Sequence, residues 1–257
     1  MAEEFYKDLY ERKFPLPGAA HHALSNDRTR KALSLLNECK PRDILELGFE
    51  DPALSRLIIK NSGANYVGVD ISEASVKAAK DSGINVIQLD ASQEELPFEP
   101  DSFDLVLCSE VIEHLYDPDF VVEQFKRVLR PDGKIIITTP NLAAWYNRLL
   151  LLTGIQPVHS EVSTRRVLGR RLSILGQGGT PVGHIRLFTL PGLTDFVSLH
   201  GLTLLRVRGY SLEFIRRVGF LDRLFSKFPS LASGFIVLLE KKQVHHRPRT
   251  IPHSGAI

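Results

Sequence analysis

The chain has 257 residues, of which 43% are hydrophobic, and a formal net charge of +2. This length suits one large α/β domain, alone or with a small subdomain. The sequence contains no uninterrupted apolar run of about 18 residues, so it predicts no membrane-spanning helix. Its first residues, "MAEEFYKDLYERKF", lack the apolar stretch of a signal peptide, and we therefore expect a cytoplasmic protein.

The small net charge hides an uneven distribution. Residues 1–141 carry 16 Lys/Arg and 25 Asp/Glu, a balance of −9, whereas residues 142–257 carry 16 and 5, a balance of +11. Such a split indicates either that the second half faces an anionic partner or that scattered arginines solvate its surface. Composition alone does not decide between these two interpretations.

The first part of the chain alternates predicted helices and strands. Residues 1–25, which are rich in aromatic side chains, are predicted to be an N-terminal lid, and a helix from Asn26 to Glu38 follows, capped by Asn26 or Asp27. The predicted strands are "DILEL", "NYVGVD", "NVIQLD", "FDLVLCS" and "KIIITT". The helices between them are "DPALSRLIIKN", "SEASVKAAKDSG" and "DPDFVVEQFKRVLRPDG". This alternation predicts parallel strands joined by right-handed crossovers, with both faces of the sheet covered.

Beyond Pro140 the pattern becomes irregular. Residues 141–185 are predicted to be an insert, with one helix in "NLAAWYNRLLLLTG" and then a long stretch rich in Gly and Arg. After it come a helix in "LPGLTDFVSLHG", a strand in "LTLLRVRGYS", a helix in "SLEFIRRVGFLDRLFSKFPS" and a last strand in "GFIVLLEKK". Residues 243–257 have little to bury, and we expect a disordered tail there.

Polar residues stand where the predicted strands end. The first strand ends at Gly48, the second at Asp70, the third at Asp90 and the fourth at Ser109 and Glu110. Ligands of open parallel sheets bind outside these carboxyl ends. A carboxylate after the second strand suits the two hydroxyls of a ribose, and one after the third can accept from an exocyclic amine. A single aspartate here is also a common turn residue, but the series indicates a nucleoside-containing ligand.

The ordered motifs identify a family. "DILELGFEDPALSRLI", "VGVDISE", "LDASQEELPFEPDSFDLVLCSEVIEHLYDP", "FKRVLRPDGKIIITTPN" and "GHIRLFT" together resemble the class I S-adenosylmethionine-dependent methyltransferases, above all their ubiquinone-biosynthesis-like group, over about residues 26–242. The resemblance implies a Rossmann-like α/β fold, in which a seven-stranded, mostly parallel sheet has helices on both faces and an antiparallel last strand. It also implies S-adenosyl-L-methionine as the cofactor.

The resemblance assigns cofactor-binding positions one residue at a time. It places Glu46 and Gly48 beside the methionine moiety, Asp70 at the ribose hydroxyls, Ile71 on the adenine, Asp90 and Ala91 at the adenine edge, and Ser109 and Glu110 beside the sulfonium and the acceptor.

The first strand-to-helix turn departs from the family pattern. Glu50 and Pro52 stand where the second and third glycines are expected. Asp51 is a good helix cap and Pro52 suits the first helical position, so the turn itself is well made. Glu50 adds bulk and negative charge near the donor. Two hypotheses follow, an active methyltransferase or a methyltransferase-like fold that has lost donor binding and serves as a partner or scaffold. The turn lacks G-x-G-x-x-G, which argues against an NAD-dependent dehydrogenase.

The chemistry itself requires few groups. An acceptor atom attacks the donor methyl in line, and the site chiefly aligns the reactants. We expect a small-molecule, lipid-linked or glycan acceptor, with O-methylation slightly favoured, and a hydroxyl acceptor would need a base. His114, in "EVIEHL", is the first candidate, beside Glu110. A histidine packed under the loop is the structural alternative.

A metal-assisted reaction is a further alternative. Glu110, Glu113, His114 and His184 together are similar to the set with which small-RNA 2′-O-methyltransferases hold a divalent metal. The same "EHL" and "GH" motifs occur widely in relatives without a metal, so we predict no metal and retain these four residues as the candidate ligands.

The basic second half of the chain predicts which partners the protein binds. The arginines of the insert, Arg165, Arg166, Arg170 and Arg171, are expected to close over the site and bind an anionic group of the acceptor. The segment 214–228 has an apolar helical stripe beside arginines, which fits either peripheral contact with a membrane surface or, as we favour, packing on the domain core. The second half of the chain lacks the alternating aromatic and basic residues that are typical of a nucleic-acid channel. We therefore expect no nucleic-acid partner.

Overall fold

The computed structural model of the protein describes residues 26–49, 52–212 and 219–241. The strands in these ranges are β1 (Asp43–Leu47), β2 (Asn65–Asp70), β3 (Val86–Gln88), β4 (Phe103–Ser109), β5 (Leu129–Pro140), β6 (Leu202–Tyr210) and β7 (Gly234–Lys241). The helices are α1 (Asp27–Cys39), α2 (Pro52–Ser62), α3 (Glu73–Asp81), α4 (Pro118–Val128), α5 (Trp145–Leu152), α6 (Leu190–Leu199) and α7 (Gly219–Phe225). The predicted lid, Glu50, Asp51, residues 213–218 and the tail lie outside the described residues.

The strands form one sheet in the order β3-β2-β1-β4-β5-β7-β6. Strands β1 to β5 pair in parallel, and β7 runs antiparallel to both β5 and β6. The predicted seven-stranded sheet with an antiparallel last strand is therefore confirmed. Because β1 to β5 are parallel, their carboxyl ends share one edge of the sheet.

Alternate residues of the central strands face two separate cores. Leu45 and Leu47 of β1 pack with α4 and α6, whereas Ile44 packs with α1, α2 and α3 on the other face. This two-residue period places successive side chains on opposite faces of the sheet. Helix α1 begins as predicted, since the side chain of Asn26 accepts from the backbone N–H of Arg28 at 3.0 Å.

The region before β5 differs from its prediction. Helix α4 ends at Val128, and the residues expected to finish it in a Pro-Asp-Gly turn belong to the 12-residue strand β5. Arg130 shows why, because its guanidinium lies 2.8 Å from both Asp43 and Asp104 and ties this segment to the edge of the sheet. The predicted turn survives as a bulge within the strand, since Asp132 has a φ of +65° and extra residues lie between Leu129 and Lys134, which pair with Phe103 and Leu105.

The helix predicted from Phe214 is seen only in its later part. Within the described residues it runs from Gly219 to Phe225. None of the helices in the described ranges is both long and apolar enough to cross a membrane.

Candidate functional site

A cavity of about 770 Å³ lies at the carboxyl ends of the parallel strands. Its wall includes Leu47 and Gly48 at the end of β1, Asp70 at the end of β2 and Ser109 at the end of β4. Cavities of roughly 300–1,000 Å³ are the usual size for small-molecule and cofactor sites. The sheet edge that the sequence singled out therefore carries a partly open cavity large enough for a nucleoside ligand.

Most of the predicted cofactor positions line one half of this cavity, which we call the donor half: Gly48, Asp70, Ile71, Asp90 and Ala91. The buried carboxylate of Asp70 accepts from the backbone N–H of Ser72 at 2.8 Å. That of Asp90 accepts from the backbone N–H of Ser92 at 2.9 Å. These hydrogen bonds hold both side chains in place at the ends of their strands.

Gly48 occupies a position that admits no side chain. Its φ is +75°, and a Cβ there would stand 2.2 Å from Cγ2 of Val111. Its N–H donates to the Val69 carbonyl at 2.8 Å, which fixes the turn against β2. Only glycine combines this backbone conformation with such a close approach. The following Glu50 and Asp51, which raised the question of lost donor binding, lie outside the described residues.

Glu46 is placed differently from its predicted role, because it does not line the cavity. Its carboxyl is buried, and Oε2 accepts from the Tyr66 hydroxyl at 2.5 Å and from the Ser55 hydroxyl at 3.2 Å. Burial raises the pKa of Glu46 to about 7, although the two hydrogen bonds favour the charged form, and the nearby Asp70 charge raises it further. Glu46 thus supports β1 and β2 from behind the site.

Glu110 lines the cavity at the start of the loop after β4, with a φ of +57°. One carboxylate oxygen accepts from the hydroxyls of Thr138 at 2.8 Å and Tyr210 at 2.9 Å, and the other lies 2.9 Å from the guanidinium of Arg28. Burial acts to raise the pKa of Glu110, but the Arg28 charge and the two hydroxyls outweigh it and lower that pKa. An ionised carboxylate held this firmly is a poor base.

A second group of side chains, Glu113, His114, His159 and His184, lines the cavity beyond Glu110, and we call it the imidazole half. Ligand atoms of Glu113, His114 and His184 lie within 4.8 Å of one another. The sequence predicted that these three would meet together with Glu110, but the hydrogen bonds of Glu110 direct it to Arg28 instead.

The proton positions on two of these rings follow from their partners. Nδ1 of His114 lies 3.0 Å from the Gly183 carbonyl oxygen, and Nδ1 of His184 lies 3.1 Å from that of His159. A carbonyl oxygen only accepts, so each neutral ring carries its proton on Nδ1 and a lone pair on Nε2. His114 therefore has the tautomer that a general base at Nε2 requires.

Three residues of this site were not predicted from the sequence. Arg28 belongs to the first helix, Tyr210 ends β6, and His159 lies within the irregular insert. None belongs to a motif at a strand end, and each is close to the cavity only because distant segments pack together.

The insert contributes to the cavity, but not through its arginines. Arg165, Arg166 and Arg171 are exposed and Arg170 is buried, donating to the Leu175 carbonyl at 2.8 Å; none of them lines the cavity. The insert instead reaches the cavity through Val182 and two histidines, His159 and His184. The expectation that these arginines close over the site has no counterpart in the described structure.

One carboxylate organises the cavity-facing loop of the insert. Glu161 accepts from the backbone N–H groups of Val182 and Gly183, both at 2.8 Å. These hydrogen bonds hold the residues just before His184 against Glu161, which is two positions from His159.

Comparison with known proteins gives a consistent result. A family model described as a methyltransferase domain matches residues 45–137. The chain is 31% identical over 105 residues to the ubiquinone biosynthesis O-methyltransferase of Pseudomonas aeruginosa, covering 39% of this chain and 45% of that protein. It is 29% identical over 169 residues to the "Probable S-adenosylmethionine-dependent methyltransferase" of Mycobacterium tuberculosis, covering 65% of this chain and 59% of that protein.

The fold also has solved counterparts. A SAM-dependent methyltransferase from Archaeoglobus fulgidus superposes with a TM-score of 0.56 at 16% identity, covering 83% of this chain and 91% of that one. Likeness at this identity concerns the fold alone. The chain spans about half the length of the curated relatives it matches, 45% of one and 59% of the other.

The raised pKa of Glu46 predicts a pH-dependent stability. Its folded-state pKa of about 7 exceeds the ordinary 4.5, so the stability contributed by the protonated carboxyl is complete below pH 4.5 and is lost as the pH rises through about 7. We expect the stability of the wild type relative to Glu46→Gln to fall by about 3 kcal/mol between about pH 4.5 and about pH 8, as measured by denaturant unfolding of both proteins across this range.

The matched control is Glu95→Gln, at an exposed carboxyl in the loop before β4. It should keep the wild-type pH dependence. If Glu46→Gln follows the wild-type curve as well, Glu46 is not the protonated group that this prediction requires.

Proposed function

Since the chain belongs to the class I S-adenosylmethionine-dependent methyltransferases, whose cofactor is S-adenosylmethionine, we propose that it transfers the donor's methyl group to an oxygen of a small-molecule or lipid-linked acceptor. The observation that carries this proposal is the cavity at the strand ends, with the carboxylates of Asp70, Asp90 and Glu110 in its wall.

The charge of the cavity suits a cationic donor. Among the described residues, four carboxyl groups line it, those of Asp70, Asp90, Glu110 and Glu113, and the guanidinium of Arg28 is paired with Glu110. When bound, S-adenosylmethionine supplies an electrophilic methyl group on a positively charged sulfur. Carboxylates around this charge favour the donor over the demethylated product, which lacks it.

The donor half offers a group for each part of the nucleoside. Asp70 would accept from the ribose hydroxyls and Asp90 from the adenine amine, while Ile71 and Ala91 would pack on the ring. Gly48 would keep the backbone of the first turn close to the ligand, because nothing larger fits beside Val111. The described residues thus fit the donor.

The imidazole half supports an oxygen acceptor. Imidazole is the commonest general base in proteins, and the contact of His114 Nδ1 with the Gly183 carbonyl makes Nε2 the nitrogen that would accept the proton. The low pKa of Glu110 leaves its carboxylate the weaker base, so we assign proton acceptance to His114 and an electrostatic role to Glu110. The named activity of the Pseudomonas aeruginosa relative, O-methylation in ubiquinone biosynthesis, points the same way.

An exposed apolar stripe supports a lipid-linked acceptor. Phe220, Leu224 and Phe228 recur at four-residue spacing on and after α7, and all three are exposed. Arg223 and Lys227 are exposed beside them. The inner face of α7 is anchored by Asp222, which accepts from Trp145 Nε1 at 3.1 Å. A helix with one anchored face and one apolar, basic face fits peripheral contact with an anionic membrane surface.

Donor binding is tested by calorimetric titration of the full chain with S-adenosylmethionine and its demethylated product. We expect both to bind, and we expect Asp70→Ala to weaken the affinity more than tenfold because the ribose loses its acceptor. Asp81→Ala, at an exposed acid outside the cavity, is the control and should bind as the wild type does. A wild type that binds neither ligand would instead support the scaffold hypothesis.

The acceptor is tested with S-adenosylmethionine carrying an isotope-labelled methyl group. The protein is incubated with cell extract, which is then separated into lipid, aqueous and RNA fractions for mass spectrometry. We expect labelled product in the lipid or aqueous fraction, present with wild type and lost with Asp70→Ala. Label confined to RNA would contradict the proposed acceptor class, and the absence of label from every fraction would contradict methyl transfer.

Membrane contact is tested by co-sedimentation with phospholipid vesicles. We expect binding to anionic vesicles that falls at high salt, and a several-fold loss in the double variant Phe220→Ser, Phe228→Ser, because both rings are exposed. Leu199→Ser removes an equally exposed apolar side chain from the end of α6 and should leave binding unchanged. Equal binding by all three proteins would rule out this surface.

A further inference from the structure

The imidazole half has the geometry of a metal site. Glu113 and His114 lie in the single helical turn after β4, and His184 reaches them from the insert. Their ligand atoms lie within 4.8 Å of one another. A tetrahedral ion with bonds of about 2.1 Å holds its ligands about 3.4 Å apart, so the side chains need to close in by roughly one ångström.

The two rings are oriented by backbone carbonyls. His114 donates from Nδ1 to Gly183 and His184 donates from Nδ1 to His159, at 3.0 and 3.1 Å. An imidazole held in this way presents Nε2 as a metal ligand, and such outer hydrogen bonds are a regular feature of metal sites.

Glu113 supplies an independent indication. Its side chain is fully buried, and Oε2 accepts from the Thr139 hydroxyl at 3.0 Å. Among the described residues, Oε1 has no hydrogen-bond partner, although it is shielded from solvent. A buried carboxylate is costly unless it is paired or binds a cation. A metal ion between Glu113 and the imidazoles would provide the missing partner.

His159 adds a third imidazole. Its ring centroid lies 5.3 Å from that of His184, and its Nε2 is buried with no partner among the residues that the structure describes. Its backbone has a φ of +71°, in the left-handed region that most residues other than glycine, asparagine, aspartate and histidine avoid. The residue that orients His184 through its carbonyl therefore also brings an unsatisfied nitrogen to the same place.

Glu110 is not available for this role. Both of its oxygens are engaged, by Arg28 on one side and by Thr138 and Tyr210 on the other. The side chains that converge are thus Glu113, His114 and His184, and the ring of His159 packs against that of His184. A set of three imidazoles and one carboxylate favours late first-row ions such as Zn²⁺ or Co²⁺ over Mg²⁺, which prefers oxygen ligands.

We propose that Glu113, His114, His159 and His184 bind a divalent transition-metal ion in the imidazole half of the cavity. The role of the ion rests on the proposed methyl transfer: bound by these residues, it would supply Lewis acidity to an acceptor hydroxyl, whose proton would leave to bulk water while the O–H electron pair would stay on the oxygen as the nucleophile. In this arrangement His114 is a ligand, and the ion replaces it as the group that activates the acceptor.

The test is a titration of the chelator-treated full chain with Co²⁺, followed by its visible absorption and by competition with Zn²⁺. We expect one ion per chain, the intense absorption of a low-coordinate cobalt site, displacement by Zn²⁺ and no displacement by Mg²⁺ at about 1 mM. A featureless titration, or an octahedral spectrum that Mg²⁺ abolishes, would overturn the proposal.

The variants test which residues bind. His159→Asn keeps a side chain that tolerates positive φ, and Glu113→Gln keeps the shape of the carboxyl, so both should fold. Each should weaken Co²⁺ binding at least tenfold, whereas Glu110→Gln should change it much less. A larger effect at Glu110 than at His159 would overturn the proposed set of ligands.

The control is His200→Ala. His200 is a buried histidine outside the cavity, held by Glu123 at 2.8 Å and Asp119 at 3.0 Å, and its loss should leave Co²⁺ binding unchanged. Ion binding is measured without S-adenosylmethionine, so a failed cobalt titration does not touch the proposed methyl transfer. Likewise, if S-adenosylmethionine does not bind in its own titration, the proposal of a metal site is unaffected.

Discussion

The ion pair between Arg28 and Glu110 organises the centre of the site. It joins the first turn of α1 to the loop after β4, while the hydroxyls of Thr138 and Tyr210 bring β5 and β6 to the same carboxylate. With four elements converging on one carboxylate, Glu110 is held ionised and in a left-handed backbone conformation. Residues on either side of it are thereby separated into a donor half and an imidazole half.

Among the described residues, two buried glutamates and one half-buried glutamate have three different states, set by their surroundings. Glu110 is ionised because a guanidinium and two hydroxyls favour the charge. Glu46, with hydroxyl donors but no cation, has a pKa near 7. Burial and the neighbouring Glu110 charge raise the pKa of Glu113 well above its ordinary value, and one of its oxygens has no partner among the described residues. Burial costs a carboxylate energy in every case, and the available partners decide the outcome.

The insert contributes to the cavity through a few polar contacts and not through its positive charge. Glu161 accepts from three backbone N–H groups, those of Val182, Gly183 and His184, and so holds together the segments that contain His159 and His184. The arginines that dominate its sequence remain outside the cavity. An irregular segment can thus complete a site on a regular sheet when one carboxylate satisfies the N–H groups of the loop.

The sequence by itself determined the parallel strands and the acidic strand ends, because apolar runs that alternate with helical patterns are local and repetitive signals. The antiparallel last strand was expected only from the resemblance to a known family. The sequence also indicated which residues line the donor half, since strand ends are read directly from the pattern. Only the tertiary structure showed that β5 begins at Leu129, that Glu46 is turned away from the cavity, that Glu110 pairs with Arg28, and that His159 packs against His184. Each of these features depends on contacts between side chains that are far apart in the chain. A short stretch of sequence does not contain both partners of such a contact.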